Sequence, residues 1–136
     1  MEITIETVVK APIERVWADW NDPRAIERWN AASDDWHTPE ARVDLREGGK
    51  FVARMEARDG TMGFDFEGTY SRIEPHRLIE YTMGDQRKVR VEFIATNDGV
   101  TVRETFDAEN SYTIEQQREG WQAILNNFAR YAEGRD

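Results

Sequence analysis

From Arg42 to Asp107 the sequence alternates apolar and polar residues with a period of two, and short turn-forming clusters interrupt it: EGGK, RDGTMG, EPHR, GDQ and NDGV. Alternation of this kind puts successive side chains on opposite faces of a strand, and Gly, Asn, Asp and Pro in the breaks supply the backbone shapes of tight turns. Six strands are predicted: Arg42 to Glu47, Lys50 to Arg58, Gly63 to Ile73, Arg77 to Met83, Lys88 to Thr96 and Val100 to Asp107. Connections this short join only antiparallel neighbours, so the segment must fold as an antiparallel meander. Its faces are legible. Phe51, Ala53, Met55 and Ala57 share one side of a strand, and Val89, Val91, Phe93 and Ala95 share one side of another. Arg54, Glu56, Lys88, Arg90 and Glu92 fall on the opposite, wetted face.

A sheet with one apolar face needs a cover. The run from Thr113 to Gly134 supplies one, because Trp121, Leu125, Phe128 and Ala132 recur at helical spacing, flanked by Ile124 and Tyr131. Thr113 and Gln116 fit a capping box, and Glu115 falls in the first turn, where a negative charge is favoured. Ahead of the meander, Glu2 to Lys10 reads as a further strand. Two short helices follow, one opening at Pro12 with Ile13, Val16, Trp17 and Trp20 as its stripe, the other capped by Asp22 and carrying Ile26 and Trp29. The expected architecture is an α+β two-layer domain, a curved antiparallel sheet with a long C-terminal helix across it, forming a single domain over residues 1–136.

Composition narrows the partners. A formal net charge of -9, with basic residues scattered among acidic ones, sets a repulsive field against nucleic acid and anionic membranes, so neither is expected. No apolar run approaches the roughly 20 residues of a membrane span, and the N-terminus has no basic leader or apolar signal core, so a cytoplasmic protein is expected. With no Cys and two widely separated His, no thiolate chemistry and no metal site are expected, and the reading calls for no cofactor.

The stretches APIERVWADWNDPRAIERWN, DWHTPEARVDLREGGKF, FDFEGTYSRIEPHRLIEYTMGDQRKVRVEF, TFDAE and QREGWQAILNNF cover nearly the whole chain. In order and spacing they resemble the domains similar to the activator of heat-shock protein 90 ATPase. That family lies in the START-like SRPBCC superfamily, which includes the birch pollen allergen fold. The resemblance implies a helix-grip fold with an internal cavity. Its members include binders of lipids, sterols and other apolar molecules, some cyclases and hydrolases, and eukaryotic cochaperones. The activator that names the family carries a separate N-terminal domain for chaperone contacts. No such domain fits before Glu2, so a chaperone contact is expected to be weak.

The candidate site residues follow from the predicted faces. Trp29, Trp36, Phe51, Phe64, Phe66, Tyr70, Phe93 and Phe106 are expected to point into one layer, interleaved with small Ala53, Ala57 and Gly68 that leave gaps. Met55, Tyr81 and Leu125 complete the apolar lining. Gly120 directly precedes Trp121 mid-helix, where Gly costs roughly 1 kcal/mol relative to Ala. Either Gly120 admits a close neighbour and Trp121 simply packs, or the pair borders a cavity. His37, in a loop at the expected cavity mouth, is either a hydrogen-bond donor to a ligand or a surface residue. Arg87 in the GDQR turn and Glu104 beside Val102 and Phe106 are either anchors for a ligand head or an ordinary salt bridge. His76 is expected at the surface.

No serine sits in a nucleophile-elbow pattern and no carboxylates form a recognised acid/base pair. The leading expectation is therefore noncatalytic binding of a small hydrophobic or aromatic ligand, lipid-like or polyketide-like, by a monomer or weak homodimer. A chaperone-associated interaction module is the first alternative. A cyclase or hydrolase is the second, and it requires at least two of His37, Arg87 and Glu104 to converge on one point of the pocket.

Overall fold

The computed structural model describes residues 1–134. In chain order the elements are β1 (Glu2–Val9), α1 (Ile13–Asn21), α2 (Pro23–Trp29), β2 (Trp36–Val43), β3 (Lys50–Ala57), β4 (Gly63–Glu74), β5 (Leu78–Met83), β6 (Lys88–Thr96), β7 (Gly99–Asp107) and α3 (Ile114–Ala132). The strands form one curled antiparallel sheet in the order β1-β7-β6-β5-β4-β3-β2, with α3 across it, which is the helix-grip fold. β1 does not join the meander in sequence. It pairs with β7, from Glu2 opposite Asp107 to Val9 opposite Val100.

The caps fall where the side chains dictate. The Asp22 carboxylate accepts a hydrogen bond from the Arg24 N–H at 3.0 Å, with Pro23 opening α2. At α3 the Thr113 hydroxyl accepts from the Gln116 N–H and the Gln116 amide oxygen accepts from the Thr113 N–H, both at 3.0 Å. Leu125, Phe128, Ala129 and Ala132 carry the C-terminal half of α3 into the core. There the Phe128 ring meets Trp20 and Trp29 edge-on, at 4.9 and 5.0 Å.

One strand was misplaced by periodicity. The segment expected as a loop at Trp36 and His37 begins β2, and the strand expected over Arg42 to Glu47 ends at Val43. β2 is an edge strand whose register shifts between His37 and Glu40. Pro39 sits in that irregularity, where its missing N–H removes no ladder bond, and its turn-like chemistry masks the strand. Buried Thr38 fastens β2 to the end of α2. Its hydroxyl donates to the Asn30 carbonyl at 2.7 Å and accepts from the Asn30 amide at 3.3 Å.

Gly68, and not Gly120, is the glycine that close neighbours keep small. A Cβ at Gly120 would meet nothing within 4 Å, so the expectation that a neighbour presses on the helix there is overturned. A Cβ at Gly68, on the inward face of β4, would lie 2.8 Å from the Phe51 ring and 2.9 Å from the Tyr81 ring. Gly120→Ala is therefore expected to stabilise the protein by about 1 kcal/mol, the ordinary helix gain. Gly68→Ala is expected to destabilise it by about 1 to 3 kcal/mol through ring displacement. Urea melts of the two variants check both signs.

Candidate functional site

The N-terminal half of α3 is held off the sheet by a ring. Trp121 lies flat on Phe106 of β7, with centroids 3.9 Å apart and planes within 9°, and makes a T-shaped contact with Phe66 at 6.1 Å. Beside this stack is a cavity of about 270 Å³ between sheet and helix. Trp20 and Trp29 close it from α1 and α2, Met55, Phe64 and Phe66 from β3 and β4, and Trp121 and Ile124 from α3. Its polar groups are Tyr81, Arg87, Glu104, Asn30 and Glu109. Phe64 is 48% exposed and so stands at the mouth.

Half of the expected lining converges there: Trp29, Met55, Phe64, Phe66, Tyr81, Arg87, Glu104 and Trp121. Phe106 lies directly beneath Trp121. Phe51 and Tyr70 border an adjoining side pocket of about 60 Å³ that shares Trp20, Trp29, Asn30, Phe66 and Tyr81 with the cavity. Phe93 packs against Trp17 and Trp20 at 5.1 and 5.9 Å, and Leu125 is solid core. Trp36 touches the outer edge of Phe64 at 5.9 Å, and Gly120 borders an external groove with Tyr112 and Gln116.

His37 is on the other side of the sheet. It pairs in register with Glu56, and its Nε2 lies 3.9 Å from the Glu56 carboxylate, on the face opposite Met55. The placement at the cavity mouth is corrected accordingly, because β2 begins at Trp36 and strand alternation turns the next residue outward. His76 is exposed in its turn.

Four lining residues escaped the sequence reading: Trp20, Asn30, Glu109 and Ile124. Trp20 and Ile124 were visible as helix-stripe residues whose layer periodicity does not specify. Asn30 is the C-cap of α2, and Glu109 lies in the link to α3, where no pattern announces an inward side chain. That link is fastened by Gln117. The Glu109 N–H donates to its amide oxygen at 2.9 Å, and its amide nitrogen donates to the Glu109 carbonyl at 3.1 Å.

Glu104 dominates the electrostatics. Its register neighbours are Ile5 on β1 and Val91 on β6, and the row continues through Ile79 and Ile73. A carboxyl thus occupies one place in a row of β-branched aliphatics. It is 6% exposed, and among the described residues no group donates a hydrogen bond to it. Loss of water around it pushes its pKa from 4.5 to about 8. Burial, reinforced by Glu104, also pushes the Tyr81 phenol well up, while Arg87 opposes that shift. Both groups are neutral hydrogen-bond donors at neutral pH. Arg87 and Glu104 line one cavity, which is less than the convergence on one point that the catalytic alternative requires, and His37 takes no part in it.

A larger hollow of about 720 Å³ lies on the outer face of the sheet. There Lys50, Thr69 and Thr82 stand side by side on adjacent strands. It is a polar surface groove and offers no enclosure. Among the described residues no three or more His, Asp or Glu are grouped to hold a metal ion, and no helix is long and apolar enough to cross a membrane.

Comparison with known proteins agrees with this architecture. The AHSA1-like protein of Aeromonas hydrophila is 52% identical, with a TM-score of 0.92 over 98% of this chain and 93% of that one. A protein from Cytophaga hutchinsonii is 49% identical, with a TM-score of 0.85 over 98% and 92%. A Nitrosomonas europaea protein shares the fold at 17% identity, with a TM-score of 0.82 over 98% and 95%. Among curated proteins none matches the chain. The family model described as Activator of Hsp90 ATPase homolog 1-like protein matches residues 10–133, and the chain belongs to that family.

Proposed function

We propose that the protein binds a small apolar or aromatic molecule in the cavity beneath Trp121. The observation that carries this reading is the cavity itself, about 270 Å³ with aromatic walls and a few polar groups gathered at one end. An interaction module drawing its affinity from surface residues has no use for such a space inside its core. Burying about 200 Å² of apolar ligand surface contributes roughly 5 kcal/mol before association costs, so this term alone carries affinity no further than the submillimolar range.

Three of the five tryptophans, Trp20, Trp29 and Trp121, line the cavity, so occupancy should register in their fluorescence. A panel of one- to three-ring aromatics and short-chain amphiphiles is expected to yield compounds that both change the emission and raise the melting temperature. At a hundredfold excess over Kd the stabilisation is about 2.7 kcal/mol. A panel in which no compound moves either signal defeats the proposal.

The protonation state of Glu104 has a sign that can be worked out. Its folded pKa lies above its unfolded one, so below pH 4.5 both states hold the proton and its ionisation costs nothing. As pH rises from 4.5 to about 8 only the unfolded chain ionises, and the folded state loses about 1.4 kcal/mol per pH unit. Above that range the loss is constant. Glu104→Gln is therefore expected to stabilise the protein by about 3 kcal/mol at pH 7 and to leave it nearly unchanged at pH 4. Denaturant melts at the two pH values test this. An equal effect at both would mean that Glu104 does not titrate as its burial requires.

A further inference from the structure

The polar end of the cavity narrows the ligand class, granted the reading above that the cavity is a binding site. Oε1 of Glu109 is buried with no hydrogen-bond partner among the described residues. Its Oε2 lies 3.9 Å from Nη2 of Arg87, beyond hydrogen-bond reach. The other nitrogens of that guanidinium are engaged: Nε donates to Asp85 at 2.7 Å and Nη1 to the Asp107 carbonyl at 3.4 Å. A buried acceptor without a donor thus stands beside a guanidinium nitrogen with spare donor capacity, on two residues that line the cavity and also border the external groove beside Gly120. Deeper in the same cavity is the Glu104 carboxyl, more than nine-tenths buried and also unpartnered.

The chemistry that completes this end is restricted. A hydrocarbon would leave the Glu109 oxygen as unpaired as it is in the ligand-free protein and gain nothing from it. A ligand carboxylate would meet the Glu109 carboxylate in a cavity of low dielectric, and an ammonium would meet Arg87. A hydroxyl avoids both conflicts, since its proton goes to Oε1 of Glu109 and its oxygen accepts from Arg87. The volume sets the rest. At about 270 Å³ the cavity falls just below the roughly 300 to 1,000 Å³ of sites for drug-sized ligands, which favours a compact ligand. Flat walls from Trp29, Phe66 and Trp121 favour rings over chains.

We infer that the ligand is a compact aromatic alcohol or phenol of one or two rings, its hydroxyl bridging Glu109 and Arg87 and its ring lying against Trp121. Calorimetric titration of the full chain with naphthol, naphthalene and naphthoate separates the possibilities, because the three share one ring system. Naphthol is expected to bind at least about tenfold more tightly than either of the others, the size of one hydrogen bond to a charged group. In Glu109→Gln, checked for folding by its melting temperature, naphthoate is expected to gain on naphthol by about tenfold as the like-charge conflict disappears. Naphthalene binding as tightly as naphthol overturns the hydroxyl assignment and leaves the binding-site reading standing. Failure of all three to bind overturns the ligand assignment, while the binding-site reading stands or falls with the wider panel. A naphthoate affinity that Glu109→Gln does not raise relative to naphthol removes Glu109 from the recognition.

Discussion

The flat stack of Trp121 on Phe106 sets how far α3 stands from β7, and the interior divides about that contact. Toward the C-terminus of the helix, Leu125, Phe128, Ala129 and Ala132 fill the space against the sheet and the two short helices. Toward its N-terminus the indole holds the helix up, and the strands below carry rigid rings that cannot collapse into the gap. Interiors otherwise pack like organic crystals. A dry, sealed void of 270 Å³ would cost on the order of 6 kcal/mol at about 24 cal/mol per Å³, a large share of a domain's stability. The mouth at Phe64 and the polar end at Arg87 and Glu109 relieve that cost by admitting water or a ligand.

Much of the fold was legible because its signals are local. Period-two alternation, the turn clusters and the capping box at Thr113 each act within a few residues, and the structure places six of the seven strands within a residue or two of the reading. β2 failed for a local reason, Pro39 in an edge irregularity. The site was half legible. Alternation gave the inward face correctly for Met55, Phe66, Glu104 and Phe106, but a face is shared by solid core and cavity alike. Which part of it stays empty depends on the helix height, and that depends on one long-range stack between β7 and α3. Gly120 shows the same limit. A glycine before a tryptophan suggested a close neighbour, yet the neighbour presses on Gly68, where two rings cross a strand. Such a contact leaves no trace in local spacing.

Charge is spent very differently outside and inside. The surface carries many ion pairs, such as Arg90 with Glu80 at 2.8 Å and Arg103 with Glu6 at 3.2 Å, and exposed pairs of this kind are worth about 0 to 1 kcal/mol each. They keep an acidic surface hydrated and decide little about the fold. Inside, among the described residues, the polar groups are few, and while Asn30, Thr38 and Gln117 are hydrogen-bonded, Glu104 and Oε1 of Glu109 are not.

That contrast bears on why Glu104 is there at all. Ile5, Val91, Ile79 and Ile73 show that the row across the sheet accepts β-branched aliphatics, and such a side chain at position 104 would pack without any desolvation cost. The carboxyl destabilises the folded state increasingly above pH 4.5 and receives no hydrogen bond in return. Stability alone therefore does not account for the residue. Its burial keeps it protonated at neutral pH, so what the protein gains is a neutral donor fixed on a rigid strand in an aromatic cavity, next to the neutral Tyr81 phenol. On the binding role proposed above, a donor held without a partner on a strand that could have been aliphatic is preorganised for a ligand group. The cavity beneath Trp121 is the space from which such a group would reach it.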